Sequence, residues 1–241
     1  MLDIRIQPAS LHWDADGHPR SLAFDDIYYE GNDGLAASRY VFMQSNQILP
    51  RLFLGNLVIG EIGFGTGLNF LALWQAWEHA GAPNGLHFIS LEKFPLQHAD
   101  AARVLGTWPE LAEYAEAWLA VYPSLRAGWH TREFAQGRVR LVLWLGDAKD
   151  GLHAWAGAQP PASAWFLDGF APARNPALWD HELCALIAAN SRIGATFSTF
   201  TAAGQARRNL QQAGFIVRKQ PGFGRKRDML VGEYSPAQTI A

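Results

Sequence analysis

Val58-Ile59-Gly60-Glu61-Ile62-Gly63-Phe64-Gly65-Thr66-Gly67-Leu68-Asn69-Phe70 reads as an apolar strand that runs into a glycine-rich turn and then into the first turn of a helix. Glycine at alternate positions 63, 65 and 67 removes the side chains that would hold a ligand off the backbone, and it permits tight turns with positive φ. The first N–H groups of the following helix lack partners within the helix and face whatever sits on the turn. A nucleotide-like cofactor suits such a site. The dinucleotide fingerprint G-x-G-x-x-G spaces its glycines for a pyrophosphate. Here the pattern is E-x-G-x-G-x-G, with Glu61 inside the strand end. A carboxylate there favours a cationic ligand without phosphates, such as S-adenosylmethionine. A tight strand–helix connection with no ligand has the same local signature, so the rest of the chain has to decide.

Strand-like and helix-like runs alternate on both sides of this turn. Strands are expected at Leu57–Ile62, His87–Leu91, Val139–Leu145, Ala164–Leu167, Ala195–Phe200, Phe215–Lys219 and Met229–Glu233. Helical patterns cover Leu68–His79, Leu96–Leu105, Leu111–Val121, Leu178–Ser191 and Gly204–Ala213. Such alternation predicts an α/β fold, a mostly parallel sheet with helices on both faces. The link Gln220-Pro221-Gly222-Phe223-Gly224-Arg225-Lys226 is too short for a crossover, so the last two strands are expected to be antiparallel. A parallel sheet ending in an antiparallel edge strand resembles the Rossmann-like class I methyltransferases. Residues 1–55 are expected to form an apron over the carboxyl edge of the sheet, and residues 56–241 the main domain. Trp108–Gly137 reads as a Trp-rich helical insertion.

Composition excludes several classes. The 241 residues, 49% hydrophobic and 17% charged, supply enough apolar material for one large core. No apolar run approaches the roughly 20 residues that span a bilayer, so no membrane partner is expected. Met1–Pro8 lacks the apolar segment of a secretory signal. The single cysteine, Cys184, sits in the apolar run Leu183–Ile187, which fits packing and a reducing, cytoplasmic setting. The eight histidines show no ligand spacing, and no metal is expected. Net charge is −2, yet Arg207, Arg208, Arg218, Lys219, Arg225, Lys226 and Arg227 crowd the end of the chain. A local field of this kind steers polyanions.

Ligands of open α/β sheets bind outside the carboxyl ends of the strands. Four such ends carry an acid. The first holds Glu61 with Gly63, Gly65, Gly67 and then Asn69. The second ends in Glu92-Lys93, where an acid takes a ribose diol. The third ends in Asp147-Ala148, a carboxylate and an adjacent N–H suited to an adenine edge, and the fourth in Asp168-Gly169-Phe170-Ala171-Pro172. One acid at a strand end can be a helix cap; four in register point to a cofactor site. Asp168 follows an apolar strand directly and lies too far from the helix near Asn175-Pro176 to cap it.

Glu61–Phe70, Phe88–Leu96, Trp165–Pro176, Thr199–Gly204 and Gly222–Arg227 resemble the methyltransferase half of the bifunctional tRNA enzymes of the MnmC type, and Phe24–Tyr29 and Ser38–Phe42 are similar too. The resemblance covers nearly the whole chain. It implies methyl transfer from S-adenosylmethionine to the amino group of a wobble-position 5-aminomethyl-2-thiouridine. It also implies a tRNA partner bound at its anticodon region, with Tyr28, Phe170, Pro172, Arg174, Arg225, Lys226 and Arg227 as substrate contacts and Tyr29 as a further aromatic. Asp168 is expected to orient the amine and stabilise the developing positive charge, with the proton lost to water. The sequence ends at Ala241 with no second glycine fingerprint, so no FAD is expected here. A stand-alone enzyme or an isolated domain is expected, paired in its pathway with an FAD-dependent oxidoreductase domain or protein. Two alternatives stay open: an aminopropyl or other small-amine transferase of the same fold, and a non-catalytic RNA-binding module.

Overall fold

The computed structural model describes residues 5–15, 17–29 and 33–236. Short strands β1 (Leu11–Trp13), β2 (Pro19–Ser21) and β3 (Asp26–Ile27) form a small antiparallel sheet. Helix α1 (Gly34–Ser38) continues into a π-helical turn at Arg39–Gln44, and α2 (Ile48–Arg51) follows. The main unit then alternates: β4 (Leu57–Ile62), α3 (Leu68–His79), β5 (Leu86–Glu92), α4 (His98–Leu105), α5 (Ala112–Leu119), β6 (Gly128–Phe134), β7 (Val139–Leu145), α6 (Ala148–Trp155), β8 (Ala162–Leu167), α7 (His181–Ala189), β9 (Ser191–Thr199), α8 (Gly204–Gln212), β10 (Phe215–Pro221) and β11 (Asp228–Tyr234).

The strand order is β10-β11-β9-β8-β4-β5-β7-β6. Pairings from β9 through β8, β4 and β5 to β7 are all parallel. The chain order reverses between β4 and β8, so the crevice outside their carboxyl ends is the switch point where such sheets bind ligands. The central strands are buried on both faces, as β8 shows with every residue from Ala162 to Leu167 buried. One face packs Phe70, Phe88 and Phe42, and the other Trp155, Leu152 and Ile187. Gly60 is required for this packing, because a Cβ there would meet the Trp165 ring at 2.4 Å.

Two details correct the sequence reading. The antiparallel strand β11 is not the edge; it inserts between β9 and β10 and pairs antiparallel with both. The short link after β10 turns β11 back beside it, and the far side of β11 then pairs with β9. The segment Trp108–Gly137 is only half helical. Its first part holds a 3-10 turn (Pro109–Leu111) and α5, but its second part is β6, antiparallel to β7. This strand covers hydrogen-bonding groups that an uncovered β7 edge would leave unpaired. Its alternation is faint because only Phe134 is buried.

Residues before β4 drape over the carboxyl edge. Arg103 of α4 stacks on the Trp13 ring at 3.7 Å, the Ala9 N–H donates to the Pro95 carbonyl at 2.9 Å, and Tyr29 packs on Trp108 at 4.9 Å. Among the described residues, no helix is long and apolar enough to cross a membrane.

Candidate active site

The turn after β4 is tight for an identifiable reason. Gly63 has φ +91°, and a Cβ there would lie 2.0 Å from the Asp168 carbonyl oxygen, so the loop passes directly against the end of β8. The Gly65 N–H donates to Glu92 Oε2 at 2.8 Å, and the Phe94 N–H donates to Glu92 Oε1 at 2.7 Å. The backbone N–H groups of Lys93 and Phe64 also bear on this carboxylate. Burial raises the Glu92 pKa, and the backbone donors act against that rise. Gly63 and Gly65 line the cavity described below, whereas Gly67 serves as the N-cap of α3 against the Phe64 ring.

Glu61, expected as a cofactor contact, is sealed beneath the cavity floor instead. It is 0% exposed. Its Oε1 accepts from Asn69 Nδ2 at 2.9 Å and its Oε2 from Ser90 Oγ at 2.6 Å. Burial, with Asp168 and Glu92 adding negative charge nearby, holds its pKa well above the ordinary range, and the two hydrogen bonds only partly offset this. Strand alternation is the cause: the side chain points under α3 and not toward the crevice.

Asp147 combines two roles that the sequence posed as alternatives. It caps α6, with Oδ1 accepting from the Lys149 N–H at 3.0 Å, and it lines the cavity. Its Oδ2 pairs with Lys93 Nζ at 2.9 Å. Burial pushes its pKa up, but Lys93 and the Lys149 N–H outweigh burial and hold it below the usual value. Lys93 and Ala148 lie on the same wall.

Asp168 stands at the end of β8, with Oδ2 accepting from Asn69 Nδ2 at 2.7 Å. Burial pushes its carboxyl up to about 7; Asn69 and Lys226 pull it down, and Glu92 pushes it further up. Asn69 also lines the cavity, although both of its amide protons are taken by carboxylates.

The rest of the lining is aromatic and basic, and it meets the glycine turn where the Tyr28 ring lies beside Gly65. Phe24 stacks on Phe170 with ring centroids 4.7 Å apart, and Tyr28 meets Phe170 edge-on at 5.4 Å. Arg225, Lys226 and Arg227 reach the cavity on the β10–β11 hairpin, and Lys226 Nζ lies 4.6 Å over the Phe200 ring. Phe24, Phe94 and Phe200 were not singled out from the sequence. Phe24 lies within the quoted Phe24–Tyr29 motif, but nothing local showed that its ring would meet Phe170. Two expected substrate residues fall elsewhere. Pro172 and Arg174 lie off the wall, and Arg174 pairs with Asp25 at 3.1 Å. Tyr29 does line the cavity, but most of its ring is buried against Trp108.

These walls enclose about 1490 Å3, more than the roughly 300–1,000 Å3 of a small-molecule pocket, which is room for a cofactor and part of a second substrate. The donor set fits S-adenosylmethionine. The glycine turn brings bare backbone to the wall, Glu92 presents its carboxylate at the cavity for a diol, and carboxylates flank the space for a sulfonium. Among the described residues, no group of three or more His, Cys, Asp or Glu is placed to hold a metal.

Comparison with known proteins agrees. Over 232 residues, 94% of this chain, it is 49% identical to a protein of Methylobacillus flagellatus described as tRNA 5-methylaminomethyl-2-thiouridine biosynthesis bifunctional protein MnmC. A protein of the same description from Pseudomonas aeruginosa is 48% identical over 235 residues. The chain spans 35% of the length of each of these two relatives. Among solved structures, MNMC2 from Aquifex aeolicus shares the fold with a TM-score of 0.75 at 23% identity, covering 95% of this chain and 72% of that one. The MnmC-type resemblance read from the motifs therefore extends along nearly the whole chain. Residues 109–235 match the model of a family described as S-adenosyl-L-methionine-dependent methyltransferase, and with a glycine turn and acidic strand ends suited to that cofactor, the chain belongs to this family.

Proposed function

We propose that the protein methylates the amino group of 5-aminomethyl-2-thiouridine at the wobble position of tRNA, giving 5-methylaminomethyl-2-thiouridine. The observation that carries this reading is Asp168, a carboxylate of near-neutral pKa that lines one cavity together with the glycine turn, the aromatic rings and the basic hairpin. The RNA substrate is supported by the description of the relatives as tRNA-modifying proteins and by the arginines and lysine on the hairpin. The same cations disfavour a polyamine acceptor, and so the aminopropyl-transfer alternative.

S-adenosylmethionine, when bound, supplies an electrophilic methyl group on a sulfonium. Gly63 lets the turn pass against the end of β8, so that the turn's backbone lines the cavity where the cofactor would lie; Glu92 would accept from its ribose hydroxyls, and Asp147 with the Ala148 N–H would take its adenine edge. Holding both reactants in line contributes roughly 7–11 kcal/mol of barrier lowering. The amine attacks only as the free base, and an alkylamine has a pKa of about 10.4. An ordinary carboxylate is a poor acceptor for that proton. Raised to about 7, Asp168 narrows the gap by about 4 kcal/mol. Asp168 therefore takes the amine proton more readily than its sequence suggested, and it also faces the positive charge that grows on nitrogen. Phe170, Tyr28 and Phe24 offer faces for the unstacked uridine. The aminomethyl group itself would come from an oxidative step that removes a carboxymethyl group, which we assign to an FAD-dependent oxidoreductase domain or separate protein.

The test is incubation with methyl-labelled S-adenosylmethionine and tRNA carrying the aminomethyl uridine, followed by nucleoside analysis. Label on the aminomethyl nitrogen is expected. Asp168→Asn should lower kcat at least about 100-fold while cofactor Kd stays within about threefold. Cofactor binding without label in that nucleoside would overturn the substrate assignment, and parallel losses of kcat and affinity would overturn the role of Asp168.

A further inference from the structure

We infer that Asn69 is a positioning residue that holds the Asp168 carboxylate and sets how readily it takes a proton, and that its side chain is not a cofactor contact. The inference rests on the assignment of Asp168 as the group facing the substrate amine. Asn69 lies in the first turn of α3, directly after the glycine turn, and is only 6% exposed. Its amide offers two N–H donors and one carbonyl oxygen. The donors go to Glu61 Oε1 at 2.9 Å and Asp168 Oδ2 at 2.7 Å, and Oδ1 accepts from Ser38 Oγ at 2.5 Å. No proton is left to donate to a ligand.

The charged Asp168 fixes which way the amide faces: a carboxylate only accepts, so a reversed amide would set oxygen against oxygen. The Ser38 hydroxyl then donates to the amide oxygen. Two carboxyl groups converging on one nitrogen disfavour being charged together. Glu61 is the deeper of the two and lacks all exposure, so it is the member kept neutral, and the charge belongs to Asp168. Each Asn69 N–H stabilises the charged form of the carboxyl it reaches. The second effect is geometric: with Oδ2 anchored to α3, Oδ1 is left without a hydrogen-bond donor among the described residues. The chain thus ties its glycine turn, its buried strand acid and its reactive strand end to one side chain.

The test is a 13C NMR titration of the Asp168 carboxyl in the free protein, the resonance being assigned by its loss in Asp168→Asn. Asn69→Leu removes both donors at nearly constant volume. Its titration midpoint is expected to rise by about one pH unit, since a hydrogen bond to a charged group carries tenfold or more in equilibrium constant. Ser38→Ala, which removes the hydrogen bond that anchors the amide oxygen, should move the midpoint in the same direction by less. If the leucine variant does not fold, Ser38→Ala carries the test alone. An unmoved midpoint in the folded variant overturns the inference. In the methylation assay Asn69→Leu should lower kcat with cofactor Kd within about threefold; a Kd that rises in step with the loss of kcat makes Asn69 a cofactor contact and overturns it as well. The underlying assignment fails by a different signature. An Asp168→Asn enzyme of wild-type rate would remove the catalytic half of the inference while leaving the titration intact.

Discussion

Asp168 shows at the scale of one residue how a reactive group costs stability. The folded protein holds its proton up to about pH 7, while an ordinary carboxyl of an unfolded chain releases it near 3.8. Between those values the folded state binds more protons, so stability falls as pH rises. This contribution is fully present below about pH 4 and is lost as pH passes 7. Asparagine cannot ionise, so Asp168→Asn is expected to leave Tm nearly unchanged at pH 4 and raise it at pH 8. A gain of about 1 kcal/mol would appear as roughly 2–4 °C in a protein of this size. Thermal unfolding at both values checks this, and a variant no more stable at pH 8 than the wild type would contradict it. That Asp168 is an acid at a strand end was readable in the chain. Its proton affinity was not, because Asn69, Glu92 and Lys226 come from three other segments.

The β10–β11 hairpin is the element that brings charge to the cavity. The Gly222 N–H donates to the Arg227 carbonyl at 3.2 Å, and the Lys226 N–H to the Phe223 carbonyl at 3.1 Å. The hydroxyl of Tyr40 donates to the Pro221 carbonyl at 3.0 Å, which ties the hairpin to the segment after α1. Arg225, Lys226 and Arg227 are therefore held on a defined turn. Each phosphate contact contributes about 0.7–0.9 to the slope of log K against log salt, so Arg225→Gln, Lys226→Gln and Arg227→Gln together should weaken tRNA binding and flatten that slope by roughly 2–3. Filter binding across a salt series measures both quantities, and unchanged slopes would remove the hairpin from the RNA interface. The pairing of these two strands was legible because their link is too short for a crossover. Insertion of β11 beside β9 was not, and neither was β6 beside β7. A strand acquires its neighbours from whichever edge the rest of the fold leaves open.

Over the whole molecule, residues before β4 complete the site built by the sheet. Asp26 Oδ2 accepts from the Ala171 N–H at 3.0 Å, and Asp25 pairs with Arg174, so the small sheet grips the loop that follows Asp168. The Phe24–Phe170 stack closes the same contact. Asp26→Ala should loosen this loop, raising KM for tRNA several-fold with a smaller change in cofactor Kd, because the backbone donors that hold Glu92 come from Gly65 and Phe94 and not from this loop. Steady-state kinetics paired with calorimetry test the split; a matching rise in cofactor Kd would refute it. The linear order of residues already contained the α/β class, the glycine turn and the acids at strand ends, since each follows from chemistry within a few neighbouring residues. Folding added what depends on contacts between distant segments. It buried Glu61 under α3, bonded Asn69 to two carboxyl groups, sent Arg174 to Asp25, and set Phe24 on Phe170. Strand alternation and long-range packing decide which side of the backbone meets a cavity, and no short stretch of sequence carries that information.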